Sequence, residues 1–362
     1  MRLIDKTKPV LVTGGTGYVA SWIIKKLLED GMTVNATVRD PSNTKLNGHL
    51  TSMAKSLPGQ LKLFKANLLV DGSFDQAMKN CELVIHSASP YYLTGIKNPL
   101  KELVQPAREG TKNVLGSVNR ISTVKRVVLT SSIAAIFGDN VDIKRNENGI
   151  FTEKDWNVTS NLEHQPYAYS KTVAEKEAWE IVKKQDRWDL VVINPGWVLG
   201  PSISKRNDSM SISFMTQLGD GTFKAGVPEM LTAIVDVRNV AEAHIRAGLT
   251  PTASGRHIVA KDIKSLLDIA NVLRKNFDEE FPFPRKQVPK IMFWLIAPMY
   301  GYSRKYVTQN VGYRIKLDNT YSKQDLGISY IPFEQTIKDH FQQVLDDGLL
   351  KRSATKIAEV AE

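Results

Sequence analysis

The chain has 362 residues, of which 42% are hydrophobic and 24% are charged, a composition typical of a globular protein with one large domain or two coupled ones. The formal net charge of +10 suits an anionic ligand such as a phosphate-bearing cofactor, but no block of five or six basic residues occurs, so nucleic acid is not expected as a partner. Cys81 is the single cysteine, which excludes an internal disulfide and argues against a cysteine-based metal site. The first strand begins by about Val10 and leaves no room for a signal peptide, so a cytoplasmic location is expected.

A strand, a glycine turn and a helix follow one another at the start of the chain. The spacing of Gly14, Gly17 and Ala20 is G-x-x-G-x-x-A, a variant of the dinucleotide-binding fingerprint. Glycine allows a tight turn and lets the backbone approach a pyrophosphate at the positive end of the helix. A purely structural turn is the alternative. The residues expected to contact the cofactor here are Gly14, Thr16, Gly17, Tyr18 and Val19.

The second predicted strand, residues 33–38, ends in Arg39 and Asp40. An arginine at this place can bind the 2′-phosphate of NADPH through its forked guanidinium, and Lys45 can add a point charge. Asp40 could instead serve a ribose hydroxyl, as in NAD-binding units, and both cations could simply be solvated. The pattern favours NADPH.

The third and fourth predicted strands, residues 61–66 and 83–86, end in small and polar residues. In a parallel sheet the carboxyl ends of neighbouring strands border the ligand crevice. His86 lies within an apolar strand, so it is predicted to be buried and hydrogen-bonded rather than catalytic. The cofactor contacts expected at these two strand ends are Asn67, Leu68, Ala88 and Ser89.

A fifth strand, residues 126–130, precedes a long helix that carries Tyr167 and Lys171. On a helix these residues are i and i+4 and project from the same face. A fixed cation beside a phenol favours the phenolate, which makes the phenol a usable general acid for carbonyl reduction. An isolated Y-x-x-x-K is more often an ordinary side-chain pair, so the assignment depends on the rest of the chain.

The alternation of strands and helices predicts an α/β protein with a Rossmann-type, doubly wound parallel sheet. Residues 1–195 are assigned to the dinucleotide-binding domain, with residues 231–250 returning to it. A smaller, interleaved substrate-binding domain takes residues 196–230 and 251–350, and residues 351–362 form a polar tail. Within these parts further elements are predicted: a sixth strand at 190–193, a helix at 214–223, a strand and helix over 232–244, a strand at 257–259 and a helix at 266–277.

The apolar stretch at residues 291–298 is far shorter than the roughly 20 residues that span a bilayer. It is interpreted as core or as a wall of the substrate pocket, and no membrane partner is expected.

In combination, these motifs resemble the extended short-chain dehydrogenases/reductases, and more narrowly their dihydroflavonol reductase-like branch. The resemblance runs from about Val10 to about Leu350. The motifs that carry it are Gly14/Gly17/Ala20, Thr130-Ser131-Ser132, Tyr167 with Lys171, Asn194-Pro195, Gly200-Pro201 and Val235-Asp236-Val237-Arg238.

The resemblance implies a role for each residue of the catalytic trio. Ser132 would donate a hydrogen bond to the substrate carbonyl, Tyr167 would deliver the proton, and Lys171 would hold the nicotinamide ribose while tuning Tyr167. Pro195 and Val198 would lie near the nicotinamide. Two neighbouring residues of the same types, Ser131 and Tyr169, are not assigned a catalytic role by the resemblance.

Three positions depart from the family pattern. Asn67 and Asn239 each stand where aspartate is common, and Phe137 stands where plant flavonoid-reducing members tend to have a polar residue. The last departure argues against a flavonoid substrate.

The predicted function is NADPH-dependent hydride transfer to a small-molecule aldehyde or ketone, without a metal, by a monomer or homodimer. Three alternatives stay open at this point: a nucleotide-sugar epimerase or dehydratase that retains NAD, an enone reductase, and a non-enzymatic dinucleotide sensor.

Overall fold

The computed structural model describes residues 2–89, 96–204, 209–277 and 280–350. Pro90 and the predicted polar tail, residues 351–362, therefore lie outside the described residues. The strands are β1 (Val10–Thr13), β2 (Thr33–Val38), β3 (Gln60–Lys65), β4 (Leu83–His86), β5 (Arg126–Thr130), β6 (Asp189–Pro195), β7 (Trp197–Leu199), β8 (Val227–Pro228), β9 (Leu231–Asp236), β10 (Gly255–Val259), β11 (Asp262–Ser265) and β12 (Gln287–Val288).

The helices lie between and after these strands. They are α1 (Tyr18–Glu29), α2 (Thr44–Lys55), α3 (Asp75–Met78), α4 (Gln105–Arg120), α5 (Pro166–Val182), α6 (Met210–Gly219), α7 (Val237–Leu249), α8 (Leu266–Phe277), α9 (Lys290–Ile296), α10 (Arg304–Asn310), α11 (Thr320–Leu326) and α12 (Phe333–Asp346). A π-helical segment (Leu100–Val104) leads into α4, and short 3₁₀ helices cover Ile133–Ala135, Asn140–Arg145 and Ala297–Tyr300.

Seven parallel strands form the main sheet, in the spatial order β10-β6-β5-β4-β1-β2-β3. The central strands are short apolar runs, as in β1 and β4, because helices cover both faces of the sheet. One face packs against α1 and α7, and the other against α4 and α5. The predicted α/β class and the doubly wound parallel sheet are confirmed.

The chain beyond β6 builds a second hydrophobic core around Phe341 of α12. Helices α6 and α8 pack on α12, and Phe277, Phe281 and Phe283 have ring centroids 5.0–5.2 Å from that of Phe341. Beside this core lies a three-stranded sheet in the order β11-β9-β7. The division into domains stays a prediction, but β10 pairs with β6 in the main sheet and not with the strands of this smaller unit.

Two predictions for the second half of the chain were wrong in detail. Helix α6 begins and ends four residues before the predicted 214–223, because Gly221, with φ of +92°, turns the chain after Gly219. In the apolar stretch 291–298, Phe293 and Ala297 are buried, whereas Ile291, Met292 and Leu295 are exposed. That stretch is therefore core on one side only. Among the described residues, no helix is both long and apolar enough to cross a membrane.

Candidate active site

The glycine turn packs directly against the end of β4. Gly14 has φ of +70°, and a Cβ there would lie 3.0 Å from the Cα of Ala88. The Ala88 N–H donates to Thr13 Oγ1 at 3.0 Å, which fixes the two strand ends together. At Gly17, the N-cap of α1, a Cβ would lie 3.1 Å from the carbonyl oxygen of Gly14. The turn therefore brings bare backbone to the start of α1, as a dinucleotide-binding turn requires.

Two side chains of α1 tie the turn to the loop after β7. The Tyr18 hydroxyl donates to the carbonyl of Gly200, and Trp22 Nε1 donates to the carbonyl of Pro201 at 2.7 Å. Burial, reinforced by the charge of Asp236, holds the pKa of Tyr18 well above its usual range. The Tyr18 hydroxyl thus stays protonated and holds α1 to the loop after β7. Thr16 and Val19, the other predicted contacts of this turn, are half-buried at its edge.

At the end of β2, Arg39 and Lys45 are both exposed. The carboxylate of Asp40 instead accepts hydrogen bonds from Ser42 Oγ at 2.6 Å and from the Ser42 N–H at 3.0 Å. These hydrogen bonds lower the pKa of Asp40. Both hydrogen bonds hold Oδ1 of the exposed Asp40 within its own turn, while the cations Arg39 and Lys45 are exposed beside it.

Three of the four predicted contacts at the ends of β3 and β4 lie near Lys171, and the fourth, Asn67, belongs to its own loop. Asn67 Oδ1 accepts from the Leu69 N–H at 3.0 Å and so shapes its own loop. Ser89 Oγ accepts a hydrogen bond from Lys171 Nζ at 3.0 Å. Leu68, Ala88 and Ser89 line one small cavity together with Lys171.

Of the catalytic trio predicted from the sequence, Ser132 follows the end of β5, and Tyr167 and Lys171 lie in α5. Ser132 caps the Ile133–Ala135 turn, and its Oγ accepts from the Ala134 N–H at 3.1 Å. Tyr167 is in the first turn of α5, a helix that packs against the same Ile133–Ala135 turn. Lys171 Nζ lies 5.8 Å from the centroid of the Tyr167 ring. The i, i+4 relationship therefore places phenol and ammonium on one face of α5.

The ammonium of Lys171 is almost fully buried, with 8% of the residue exposed. Burial lowers the pKa of Lys171 to about 8, and the carboxylate of Glu175 opposes this by favouring the charged form. Glu175 lies one further turn along α5.

Glu175 is the centre of a buried network that sequence reasoning missed. Its carboxylate accepts from Arg256 Nε at 2.6 Å, from Asn194 Nδ2 at 2.9 Å and from the Ser131 hydroxyl. These partners lie in β10, in β6 and directly after β5, so the network fastens three strand ends to α5. Asn194 also donates to the Ser132 carbonyl at 3.1 Å. The one sequence signal that could have indicated this network is the position of Glu175, an acidic residue four residues after Lys171 and on the same face of the helix.

The two residues not assigned a catalytic role, Ser131 and Tyr169, differ from their neighbours in the trio in what they contact. The hydroxyl of Ser131 donates to Glu175, whereas that of Ser132 caps the following turn. Tyr169 is half-buried on α5, two residues from both Tyr167 and Lys171 and hence on another side of the helix.

His86 is buried in β4, and its Nδ1 lies 2.9 Å from Thr13 Oγ1. Burial, together with the nearby positive charge of Lys171, lowers the pKa of His86 to about 3, so the ring is neutral. The prediction of a buried, hydrogen-bonded histidine is confirmed.

Helix α5 begins from a strained residue. Gln165 is the N-cap and has φ of +57°, which is unusual for a residue other than glycine. Its Nε2 donates to the Gly138 carbonyl and to Asp139 Oδ1, both at 3.2 Å. Asp139 is itself buried, and its Oδ2 lies 2.6 Å from His164 Nε2. This second network holds the first turn of α5, and with it Tyr167.

The other two departures from the family pattern have clear structural settings. Phe137 is buried and stacks on Phe151, with ring centroids 4.4 Å apart. Asn239 donates to the Ser329 carbonyl at 2.9 Å and accepts from the Ile331 N–H at 2.8 Å. An ionised aspartate can accept hydrogen bonds but cannot donate them, so at this position it could not bond to the Ser329 carbonyl.

Within the part of the chain that the structure describes, no group of three or more His, Cys, Asp or Glu side chains is placed to hold a metal ion.

Comparison with known proteins places this geometry in a family context. Residues 10–260 match the model of the NAD dependent epimerase/dehydratase family. Cinnamoyl-CoA reductase CAD2 of Medicago truncatula is 37% identical over 335 residues, which cover 91% of this chain and 93% of that protein. Anthocyanidin reductase of Arabidopsis thaliana is 36% identical over 282 residues, covering 75% of this chain and 81% of that protein.

Among solved structures, Gre2 from Candida albicans in complex with NADPH is similar to this chain. The two share 26% sequence identity with a TM-score of 0.75, over 94% of this chain and 99% of the other.

Proposed function

We propose that this chain, which belongs to the NAD dependent epimerase/dehydratase family and within it to the extended short-chain dehydrogenases/reductases, is an NADPH-dependent reductase of aldehydes or ketones with Tyr167 as general acid. The observation that carries the proposal is the buried ammonium of Lys171, 5.8 Å from the ring of Tyr167. A buried cation this close to a phenol favours loss of the phenolic proton. Support comes from two plant relatives named as reductases and from the Candida albicans Gre2 complex with NADPH.

The residues present fit this cofactor. The close approach of Gly14 to Ala88 leaves no room for a side chain in the turn. Oδ1 of Asp40 is held by Ser42, and the exposed cations Arg39 and Lys45 would meet a 2′-phosphate. When bound, NADPH supplies the hydride. The residues that would hold it are Gly14, Thr16, Gly17, Tyr18, Val19, Arg39, Lys45, Asn67, Leu68, Ala88, Ser89, Lys171, Pro195 and Val198.

Ser132, Tyr167 and Lys171 would stabilise the reacting carbonyl oxygen and protonate it. As the carbonyl carbon is reduced, negative charge develops on the carbonyl oxygen, and hydrogen bonds from Ser132 and Tyr167 stabilise that charge more strongly than they bind the neutral carbonyl. Tyr167 then gives its proton to the oxygen, and the positive charge of Lys171 stabilises the tyrosinate. A positioned proton transfer of this kind contributes roughly 10²- to 10⁴-fold, or about 3–5 kcal/mol of barrier.

Substrate identity is a separate part of the proposal. The two plant relatives are named for different substrates, so similarity to them does not select one. Phe137, stacked on Phe151, offers no polar atom to a hydroxylated ring at a position where flavonoid-reducing members tend to have one. We therefore favour a small aldehyde or ketone over a flavonoid.

The experiment is a panel of aliphatic and aromatic aldehydes, α-diketones, β-keto esters, cinnamoyl-CoA, enones and a nucleotide sugar, tested with NADPH and with NADH. Cofactor oxidation is followed by absorbance, and products are identified by mass spectrometry. We expect an alcohol from at least one aldehyde or ketone, formed faster with NADPH. Turnover of enones alone, to saturated ketones, would contradict the proposal, as would epimerisation of a nucleotide sugar without net cofactor oxidation.

A further inference from the structure

The outward face of the helix that starts at α9 is apolar. Helix α9 continues into the 3₁₀ helix, so residues 290–300 form one helical stretch. Ile291, Leu295 and Met299 follow one another at four-residue steps, with Met292 beside them, and their exposed fractions are 73%, 58%, 84% and 55%. The inward face of the same stretch is also apolar, because Phe293 and Ala297 pack on Val307 and Val311. Large apolar side chains therefore occupy both sides of a helix that, within the described residues, packs against protein on one side only.

No similar cluster occurs elsewhere among the described residues. The other exposed large apolar residues are scattered, apart from the pair Leu69 and Val70. Isolated apolar side chains on a surface need no explanation, but a contiguous patch marks an interaction site. Tyr300 and Tyr302, which are 49% and 38% exposed, follow the stripe in the chain.

The same part of the chain is strongly basic. Residues 285–317 contain seven Lys and Arg residues and neither Asp nor Glu, whereas outside them 41 basic residues face 38 acidic ones. Most of the net charge of the protein thus belongs to this one segment. The seven cations are Arg285, Lys286, Lys290, Arg304, Lys305, Arg314 and Lys316.

One of these cations, Arg304, is fixed against a side chain of α9. The guanidinium of Arg304 lies 4.6 Å from the ring centroid of Trp294, which is in α9 between Met292 and Leu295. Lys290 Nζ instead donates to the carbonyls of Thr308 and Val311 at 3.0 and 2.7 Å, on the side of the helix that packs on the protein. All seven cations are exposed residues, so the segment presents positive charge to solvent together with the exposed apolar side chains.

From this combination we propose that the segment 285–317 docks the protein on the surface of an anionic lipid bilayer. The apolar stripe would enter the boundary between headgroups and acyl chains, while the cations meet the anionic headgroups. Each Lys or Arg near such a surface adds to the attraction towards the anionic headgroups. A stretch of this length lies on the membrane and does not cross it.

A second copy of the chain fits the patch less well. A two-fold dimer would place the same patch on both subunits, so two surfaces with seven cations each and no acid would face each other. The sequence-based expectation of no membrane partner was derived from the absence of a spanning segment, and that argument does not address surface docking.

The test is cosedimentation of the purified full chain with vesicles of phosphatidylcholine alone and of phosphatidylcholine containing phosphatidylserine. We expect binding to the anionic vesicles and a drop of at least tenfold in the partition coefficient on going from about 0.1 to about 0.5 M salt, because salt screens exposed charges. The variant Leu295→Gln/Met299→Gln should lose at least about tenfold in partitioning, because it removes two apolar side chains from the buried area. The matched control, Leu69→Gln/Val70→Gln, alters an exposed apolar pair elsewhere and should bind like the parent.

Both variants are expected to reduce a soluble carbonyl at the parent rate, because none of the four residues belongs to the proposed active site. Absence of binding to the anionic vesicles would overturn the proposal, as would equal losses in the variant and its control. The proposal also fails if light scattering shows a dimer that Leu295→Gln/Met299→Gln converts to a monomer while the parent leaves the vesicles unbound, since the patch would then be a subunit interface.

Discussion

Glu175 Oε1, on the helix that carries Tyr167 and Lys171, lies 2.6 Å from Arg256 Nε, and both side chains are buried. Arg256 in turn stacks on Trp156, with its guanidinium carbon 3.9 Å from the ring centroid. The carboxylate therefore faces two cations, one that it pairs with directly and one a helical turn away. It stabilises the charged form of Lys171 against the cost of burial.

The first prediction concerns the pH dependence of reduction. In the proposed mechanism Lys171 acts as a cation, and its pKa is lowered to about 8, so kcat/KM should be maintained below that pH and should fall as the pH rises through it. Glu175→Gln removes the charge that opposes this shift and should move the alkaline limb to lower pH. Glu177→Gln, which changes an acid on the same helix that pairs with Arg108, should leave the limb in place. An unmoved limb in Glu175→Gln would show that the carboxylate does not act on Lys171.

The second prediction concerns stability. Arg256→Met leaves the carboxylate of Glu175 buried without its main partner, and breaking a buried pair in this way costs about 3–5 kcal/mol of unfolding free energy. Urea unfolding of Arg256→Met, Glu175→Gln and the double variant forms a cycle in which the double variant should be more stable than Arg256→Met alone. Lys183→Met, in the exposed pair with Glu180, should have no measurable effect. Additive losses in the cycle would contradict the coupling.

How much of this site the sequence predicts depends on the range of the interactions involved. The glycine turn, strands β2 and β4 and the Tyr167–Lys171 pair depend on neighbours within a few residues, and patterns of that range are visible in the sequence. Glu175 and Arg256 are 81 residues apart, and no periodicity relates a helix position to a strand that joins the sheet so much later.

Two other features could not be predicted from the sequence, for related reasons. The positive φ of Gln165 is held by contacts to Gly138 and Asp139, so tertiary structure overrides the local preference of the residue. The exposed side of α9 consists of apolar residues, which sequence patterns assign to the core by default.

The third prediction concerns cofactor choice. Arg39→Ala removes the cation proposed to meet the 2′-phosphate, and a hydrogen bond to a charged group is worth about 1.5–3 kcal/mol, so the Kd for NADPH should rise roughly 10- to 150-fold. The Kd for NADH, which lacks that phosphate, should change little. Titration of cofactor fluorescence measures both. Equal weakening of the two cofactors would refute the assignment of Arg39.

The fourth prediction separates two adjacent serines. Ser132→Ala removes the proposed donor to the substrate oxygen and should lower kcat about a hundredfold or more, while loss of its cap on the Ile133–Ala135 turn should cost only about 1 kcal/mol of unfolding free energy. Ser131→Ala removes a buried hydrogen bond to Glu175 and should mainly lower stability. Steady-state kinetics and urea unfolding of both variants give the comparison. The reverse pattern would assign the substrate contact to Ser131.

The most direct test of the central claim is the turnover number of Tyr167→Phe beside that of Tyr169→Phe. Both changes delete one phenolic oxygen from α5, but only Tyr167 shares its helix face with Lys171. We predict that Tyr167→Phe lowers kcat at least about a hundredfold, in line with the loss of a positioned proton donor, while the Kd for NADPH stays within about twofold. Tyr169→Phe should turn over like the parent. Parent-like turnover in Tyr167→Phe, with NADPH still bound, would contradict the account.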